Sequence, residues 1–197
     1  MIFEFLNSDF FLNIEKIKMS TRVQSNNQNI VVFKSKILKI FTDGSFNETN
    51  RRLGYGIVYP QNESWNLYGI ISSCKRPDNN KAELFAIFKA LNLAFGMFQI
   101  TTKTKYKSII LYTDSRESIN GIEYYNKTQK YKASYVKTVD KEARALYRNI
   151  SKLIDDLRER NKPVSFRFVK SHQKATDFAG TYNRIADKLA RDATIKI

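Results

Sequence analysis

Five side chains have the types and spacing that site chemistry needs: Asp43, Glu83, Asp114, Asp187, and the only histidine, His172. Each carboxylate also has a plain structural reading. Asp43 precedes Gly44 and suits a turn, and Glu83 follows Asn80 at the distance of a capping arrangement. Asp114 could cap a following helix together with Glu117, and Asp187 could pair with Arg191 one helical turn later. Cap and ligand are compatible roles. If the four acids converge, they cannot all stay ionised without cations. Hard oxygen donors of this kind suit Mg²⁺ or Mn²⁺, which keep several waters and accept phosphate oxygens. Two such ions about 3.5–4 Å apart activate a water and stabilise the leaving oxygen of an in-line phosphoryl displacement.

Convergence depends on the elements that carry these residues. Ile37-Leu38-Lys39-Ile40-Phe41-Thr42 reads as a buried strand ended by Asp43-Gly44. Two further strands follow at 54–59 and 66–72, around a Pro60-Gln61-Asn62 turn. In Leu84, Phe85, Ile87, Phe88, Leu91 and Phe95 the apolar spacing changes to three and four, predicting a helix over 81–98. A strand at 108–113 and a short helix over 115–122 come next. The tyrosine-rich basic stretch from Tyr124 to Lys137 then leads to a long helix over 139–161. Pro163 opens a strand at 164–169, and a loop carrying His172 precedes a last helix over 182–193. This order predicts an α/β fold whose five-stranded mixed sheet, a three-strand antiparallel meander plus two parallel strands, is flanked by helices. Asp43 and Asp114 then stand at carboxyl ends of strands, where sites of open α/β sheets gather. Glu83 opens the helix between them. Asp187 lies on the closing helix, where Ile185 and Leu189 can pack inward.

Charge says what such a site would act on. The 197 residues carry 34 Lys+Arg against 19 Asp+Glu, a net charge of +15, which points to a polyanionic partner. A 42% hydrophobic content with 14 Phe and 11 Tyr excludes a disordered chain, and the single Cys74 excludes an intramolecular disulfide scaffold. No stretch approaches the roughly 18 uninterrupted apolar residues of a bilayer span, and Met1 to Leu6 lacks the basic start of a signal peptide. Nucleic acid is therefore the expected partner and a membrane is not. The expected location is an intracellular, reducing compartment (cytoplasm, nucleus or viral factory) rather than a secreted one. A basic protein holding a metal-loaded acidic cluster makes sense as a nuclease. Residues 1–36 form an N-terminal extension, partly flexible, with a short helix expected over 8–17 and a polar linker from Ser20 to Asn29. Residues 37–194 are expected to form the domain that carries the four acids, the catalytic domain if they act as a site.

Thr42-Asp43-Gly44-Ser45, Asn79-Asn80-Lys81-Ala82-Glu83-Leu84, Tyr112-Thr113-Asp114-Ser115, His172 and Asn183-x-x-Ala186-Asp187-x-Leu189-Ala190 occur in a telling order. Together they resemble the motif series of the type 1 ribonuclease H family, over about residues 37–194. The opening Thr-Asp-Gly-Ser also separates that family from type 2 ribonucleases H. The resemblance implies the ribonuclease H fold and a monomeric endonuclease. It would hydrolyse the RNA strand of RNA–DNA hybrids with two Mg²⁺ ions, Mn²⁺ substituting, and leave 5′-phosphate and 3′-hydroxyl ends. It further implies that Asp43 bridges both metals, that Glu83 and Asp114 complete the leaving-group site, and that Asp187 holds the water-activating metal. His172 falls where the family carries a loop histidine that assists proton transfer or product release. Arg76, Asn79 and Asn80 match the loop that contacts the hybrid backbone, the two Asn near RNA 2′-hydroxyls, which suit side-chain amides. Asn183 is also expected among the substrate contacts.

The stretch containing Lys127, Lys130 and Lys132 interleaves basic and aromatic residues, which suits phosphate contact plus sugar or base packing. Some family members carry a basic, often Trp-bearing protrusion here. Two positions depart from the pattern. Asp78 stands where members with a DNA-phosphate pocket carry a small hydroxyl residue, and Asp140 stands where an Asn is common. A DNA-cutting relative and a non-catalytic hybrid-binding module are the competing classes. The Asn79-Asn80-x-x-Glu83 and Asn183-x-x-Ala186-Asp187 combination argues against the first, and the presence of all four acids against the second.

Overall fold

The structure, a computed structural model, describes residues 35–72, 74–100, 104–129, 141–171 and 177–195. Five strands run β1 (Ile37–Asn47), β2 (Arg52–Val58), β3 (Leu67–Ile71), β4 (Ser108–Thr113) and β5 (Val164–Phe168). They form one sheet in the order β3-β2-β1-β4-β5. The β1–β2 and β2–β3 pairs are antiparallel, and the β1–β4 and β4–β5 pairs are parallel. The expected meander plus two parallel strands is the observed sheet. Its helices are α1 (Asn79–Ile100), α2 (Arg116–Thr128), α3 (Lys141–Glu159) and α4 (Phe178–Ile195). The N-terminal extension up to Lys34, with its expected helix, lies outside the described residues, as do Lys130, Lys132, Asp140 and His172.

Two cores lock the sheet. The larger joins Leu38, Ile40, Ile109 and Leu111 of the strands to Leu84, Ile87 and Leu91 of α1 and Ile150, Ile154 and Leu157 of α3. Each such side chain, fully withdrawn from water, contributes about 1.5–3 kcal/mol before entropy is counted. The smaller core sets Phe41, Val58 and Val169 against Ala186 of α4, with Tyr112 stacked on Phe41 at 4.4 Å. α1 has 22 residues and the apolarity of a bilayer-spanning helix, but 67% of its most apolar window is buried inside the fold. Packing against the sheet and α3 accounts for its composition.

Two elements differ most from the sequence expectation, beside α4, which begins four residues before its expected start. β1 does not end at Asp43-Gly44 but continues to Asn47, because β2 stays in register with it from Phe41↔Val58 through Asn47↔Arg52. The turn falls beyond, where the Asn47 side-chain oxygen accepts from the backbone N–H groups of Thr49 (3.1 Å) and Asn50 (3.4 Å). Gly44 is therefore a strand residue, required for another reason: a Cβ there would stand 2.2 Å from the backbone of Ala82 and Glu83. The second difference is α2, which runs six residues past its expected end and absorbs Tyr124 to Lys127 into its last turns. Tyr125 is buried beside Tyr147 of α3, and Ser151 of α3 donates to the Asn126 side chain at 2.8 Å. The front of the basic stretch is thus helix packed on helix, with Lys127 on its exposed side.

Candidate active site

Three chain segments deliver carboxylates to one place. Asp43 sits within β1 opposite Gly56, Glu83 in the first turns of α1, and Asp114 directly after β4. One oxygen of each lies within 4.8 Å of the others. Asp43 and Glu83 are 5% and 4% exposed, so water screens them little. Burial first, and then the Asp114 charge, pushes the Asp43 carboxyl up to about 8 from its ordinary 3.8. Burial and the Asp43 charge likewise hold Glu83 well above its ordinary range. Glu83 Oε2 is buried and has no hydrogen-bond partner among the described residues. Such an atom needs a ligand, and a divalent cation would satisfy it and neutralise the crowded acids together.

The fourth acid stands apart. Asp187 on α4 lines the same cavity of about 490 Å³ and adds to the charge that raises Asp43, but Arg191 one turn on donates to its Oδ2. Asp187 thus makes the ion pair expected of it and also lines the cavity of the clustered acids. For Asp114 the plain reading fails. The N-cap of α2 is Ser115, whose hydroxyl oxygen accepts from Ser118 N at 3.2 Å, and the Asp114 carboxylate stands beside Asp43 and Glu83 instead. Glu83 is no capping partner of Asn80 either, since Asp78 begins α1 by accepting from Lys81 N at 2.8 Å.

Asn183 is buried on α4, and its amide donates to Asp114 Oδ2 at 3.4 Å. This places its side chain beside a carboxylate of the cluster. Asn79 is exposed on the cavity wall, and Asn80 accepts from the Ser118 hydroxyl at 3.4 Å, so α2 steadies it. Arg76 is exposed, and its carbonyl accepts from the buried Lys81 ammonium. That ammonium also pairs with Asp78 at 3.4 Å and Glu142 at 3.6 Å. The negative charge of Asp78 is thereby partly answered. Sequence reasoning missed the Lys81–Glu142 link between α1 and α3. Its only trace was a charged residue beside the buried positions of an apolar helix. Cys74 donates to Glu142 at 3.3 Å, and burial pushes its thiol up to about 11, so it is a packed thiol and no nucleophile.

The raised carboxyls set a pH dependence. An acid that binds its proton more tightly when folded costs no stability below its unfolded value. It destabilises increasingly as pH climbs toward its folded value. Without divalent cations the protein is expected to lose on the order of 2–4 kcal/mol between pH 4 and 8 from this cluster. Millimolar Mg²⁺ should restore most of the loss at pH 8 and little at pH 5. Thermal unfolding in EDTA and in Mg²⁺ at both pH values checks this. An equal effect of Mg²⁺ at the two pH values would contradict it.

Among solved structures the chain resembles ribonucleases H1. It superposes on the enzyme of Halobacterium salinarum NRC-1 with a TM-score of 0.52 and 19% identity, over 80% of this chain and 96% of that one. For the N-terminal RNase H domain of a Mycobacterium tuberculosis protein the values are 0.53, 19%, 82% and 95%. LC11-RNase H1, isolated from compost by a metagenomic approach, gives 0.55, 17%, 82% and 97%. Identities this low speak for the fold alone. No curated protein sequence matches the chain. The sequence model of the RNase H family, however, matches residues 35–195, from just before β1 to the end of α4. That span contains the carboxylate cluster, Asp187 and every described element, and the chain belongs to the RNase H family.

Proposed function

We propose that the protein is an endonuclease that hydrolyses the RNA strand of RNA–DNA hybrids, using two Mg²⁺ ions and leaving 5′-phosphate and 3′-hydroxyl ends. The observation that carries this reading is the Asp43-Glu83-Asp114 cluster, two of its acids buried, with its orphaned Glu83 oxygen, set in a chain of net charge +15. A relative, LC11-RNase H1, has been solved in complex with an RNA/DNA hybrid, at 18% identity and a TM-score of 0.52 to this chain. Asp43, Glu83 and Asp114 would hold one ion, and Asp43 with Asp187 the other; Mn²⁺ would also fit these oxygen donors. Ions bound there supply an activated water and stabilise the leaving oxygen of the phosphodiester. The chain's own groups do the rest. Burial keeps the carboxylates from being screened, Asn183 orients Asp114, and Asn79 and Asn80 offer amides to 2′-hydroxyls of the RNA strand. Arg76 and Lys127, with Lys130 and Lys132 of the same basic stretch, would hold backbone phosphates, and His172 would carry a proton.

The test is incubation of the protein and Mg²⁺ with labelled hybrid, duplex DNA, duplex RNA and single-stranded RNA. Cleavage confined to the RNA strand of the hybrid is expected. Cutting of duplex DNA with the hybrid intact would transfer the protein to the DNA-cutting relatives. Hybrid binding without any cutting would make it a binding module.

A further inference from the structure

The cavity wall carries five acids, Asp43, Glu83, Asp114, Glu117 and Asp187, against one cation among its described lining residues, Arg191. That cation is not shared evenly. Its guanidinium donates to Asp187 Oδ2, one helical turn back on α4, whereas the three clustered acids lie together without it. An i,i+4 pair on a helix surface is ordinarily worth only about 0.3–0.5 kcal/mol and carries no function. Here the pair lines the same cavity as the acid cluster, and Asp187 is among the charges felt by Asp43. The Asp187 side chain is 22% exposed and that of Arg191 55%, so the acid is turned further into the protein than its partner.

We propose that Arg191 is a resident counter-ion that ranks the two metal positions, leaving the Asp43-Glu83-Asp114 position strong and the Asp187 position weak. The inference rests on the two-metal reading above, but only on its metal sites and not on the substrate. Two buried carboxylates and a half-buried third repel one another until a cation arrives, so binding there relieves a cost already present in the fold. At Asp187 the charge is already answered and one oxygen is already engaged. A metal must displace the guanidinium, and the affinity falls by what that pair was worth. Arg191 is a positioning residue in this account: it acts through the carboxylate that it releases. The consequence is an enzyme loaded at one position at low cation concentration and completed when the second ion, with a substrate phosphate to share, competes Arg191 away.

The experiment is calorimetric titration of the hybrid-free protein with Mn²⁺, for the wild type, Arg191→Ala, Arg191→Lys and Asp187→Asn. The wild type should show a tight and a weaker binding step. Arg191→Ala should tighten the weaker step by about 2–5-fold and leave the tight one unchanged. Arg191→Lys, keeping the charge without the planar fork, should fall between, and Asp187→Asn should remove the weaker step. Lys188→Ala removes the same charge from the exposed side of α4, away from the cavity, and should move neither step. An unchanged weaker step in Arg191→Ala, or an equal tightening of both steps, overturns the proposal. Unfolding curves of each variant establish that it is folded, and should Arg191→Ala fail to fold, Arg191→Lys carries the comparison. Because no hybrid is present, this result stands or falls separately from the cleavage assay.

Discussion

Asp43→Asn should lower hybrid cleavage by at least about 10³-fold, equivalent to roughly 4 kcal/mol of transition-state stabilisation, while hybrid binding survives. The same substitution should raise the stability of the cation-free protein. Both effects come from one geometry. Asp43 is the most central of the acids: its oxygen lies within 4.8 Å of those of Glu83 and Asp114, and the Asp187 charge also reaches it. An amide keeps the shape and gives up the charge, so the chain still folds and still presents its basic surface to a polyanion. It can no longer serve as the shared anionic ligand of the two proposed ions. The stability gain follows from the direction of the shift. Below about pH 4 the acid is protonated in both folded and unfolded chains, and Asp and Asn should differ little. Above that the folded chain must either keep a proton on a carboxyl pushed up to about 8 or bury a charge beside two others. Asn escapes both costs, so at pH 8 in EDTA the variant should be more stable by about 2–4 kcal/mol. Unfolding curves at pH 4 and 8, with fluorescence anisotropy on a labelled hybrid, check the two halves. A variant less stable than the wild type at pH 8 in EDTA would refute the electrostatic account.

The residue types of this cluster were legible before any fold was known, because chemistry restricts them to few choices and the strands and helices carrying them have strong periods. Their positions within those elements were less legible. Asp43-Gly44 reads as a strand end, since Asp-Gly is a common turn pair. The register with β2 overrides that local preference, and nothing in the local sequence announces the register. α2 is a different case. Ser118, Ile119, Ile122 and Tyr125 recur at helical spacing and are all buried, so the signal for a longer helix was present beneath the basic and aromatic character of Tyr124 to Lys127. The Lys81 link to Glu142 was barely legible, as a charged residue set in an apolar helix. It joins residues far apart in sequence, and only packing of α1 on α3 brings them within reach.

Gly44→Ala should destabilise the protein by about 3 kcal/mol or more and cut activity about 10²-fold in the fraction that still folds. The glycine is not there for backbone freedom, as no glycine among the described residues has a positive φ. It is there because α1 crosses β1 at this point. An added Cβ would sit 2.2 Å from Ala82 C and Glu83 N and 2.6 Å from Ala82 O, and no rotamer change moves backbone atoms aside. Either the strand or the start of α1 must shift, and Glu83 shifts with it, out of the cluster that needs its oxygen near those of Asp43 and Asp114. Gly69→Ala supplies the contrast. Its Cβ would meet the hydroxyl end of Tyr55 at 2.9 Å, on the edge strand β3, and that side chain can swing away. A cost under about 1 kcal/mol is expected there, with activity unchanged. Gly56 repeats the Gly44 argument on the opposite layer: its Cβ would stand 2.2 Å from Ala186 O, next to Asp187 on α4. The two close crossings therefore fix the two sides of the site independently, α1 with Glu83 and α4 with Asp187. Urea unfolding and kcat/KM for the Gly44 and Gly69 variants decide the matter, and equal losses at the two positions would mean that the α1 crossing does not set the position of Glu83.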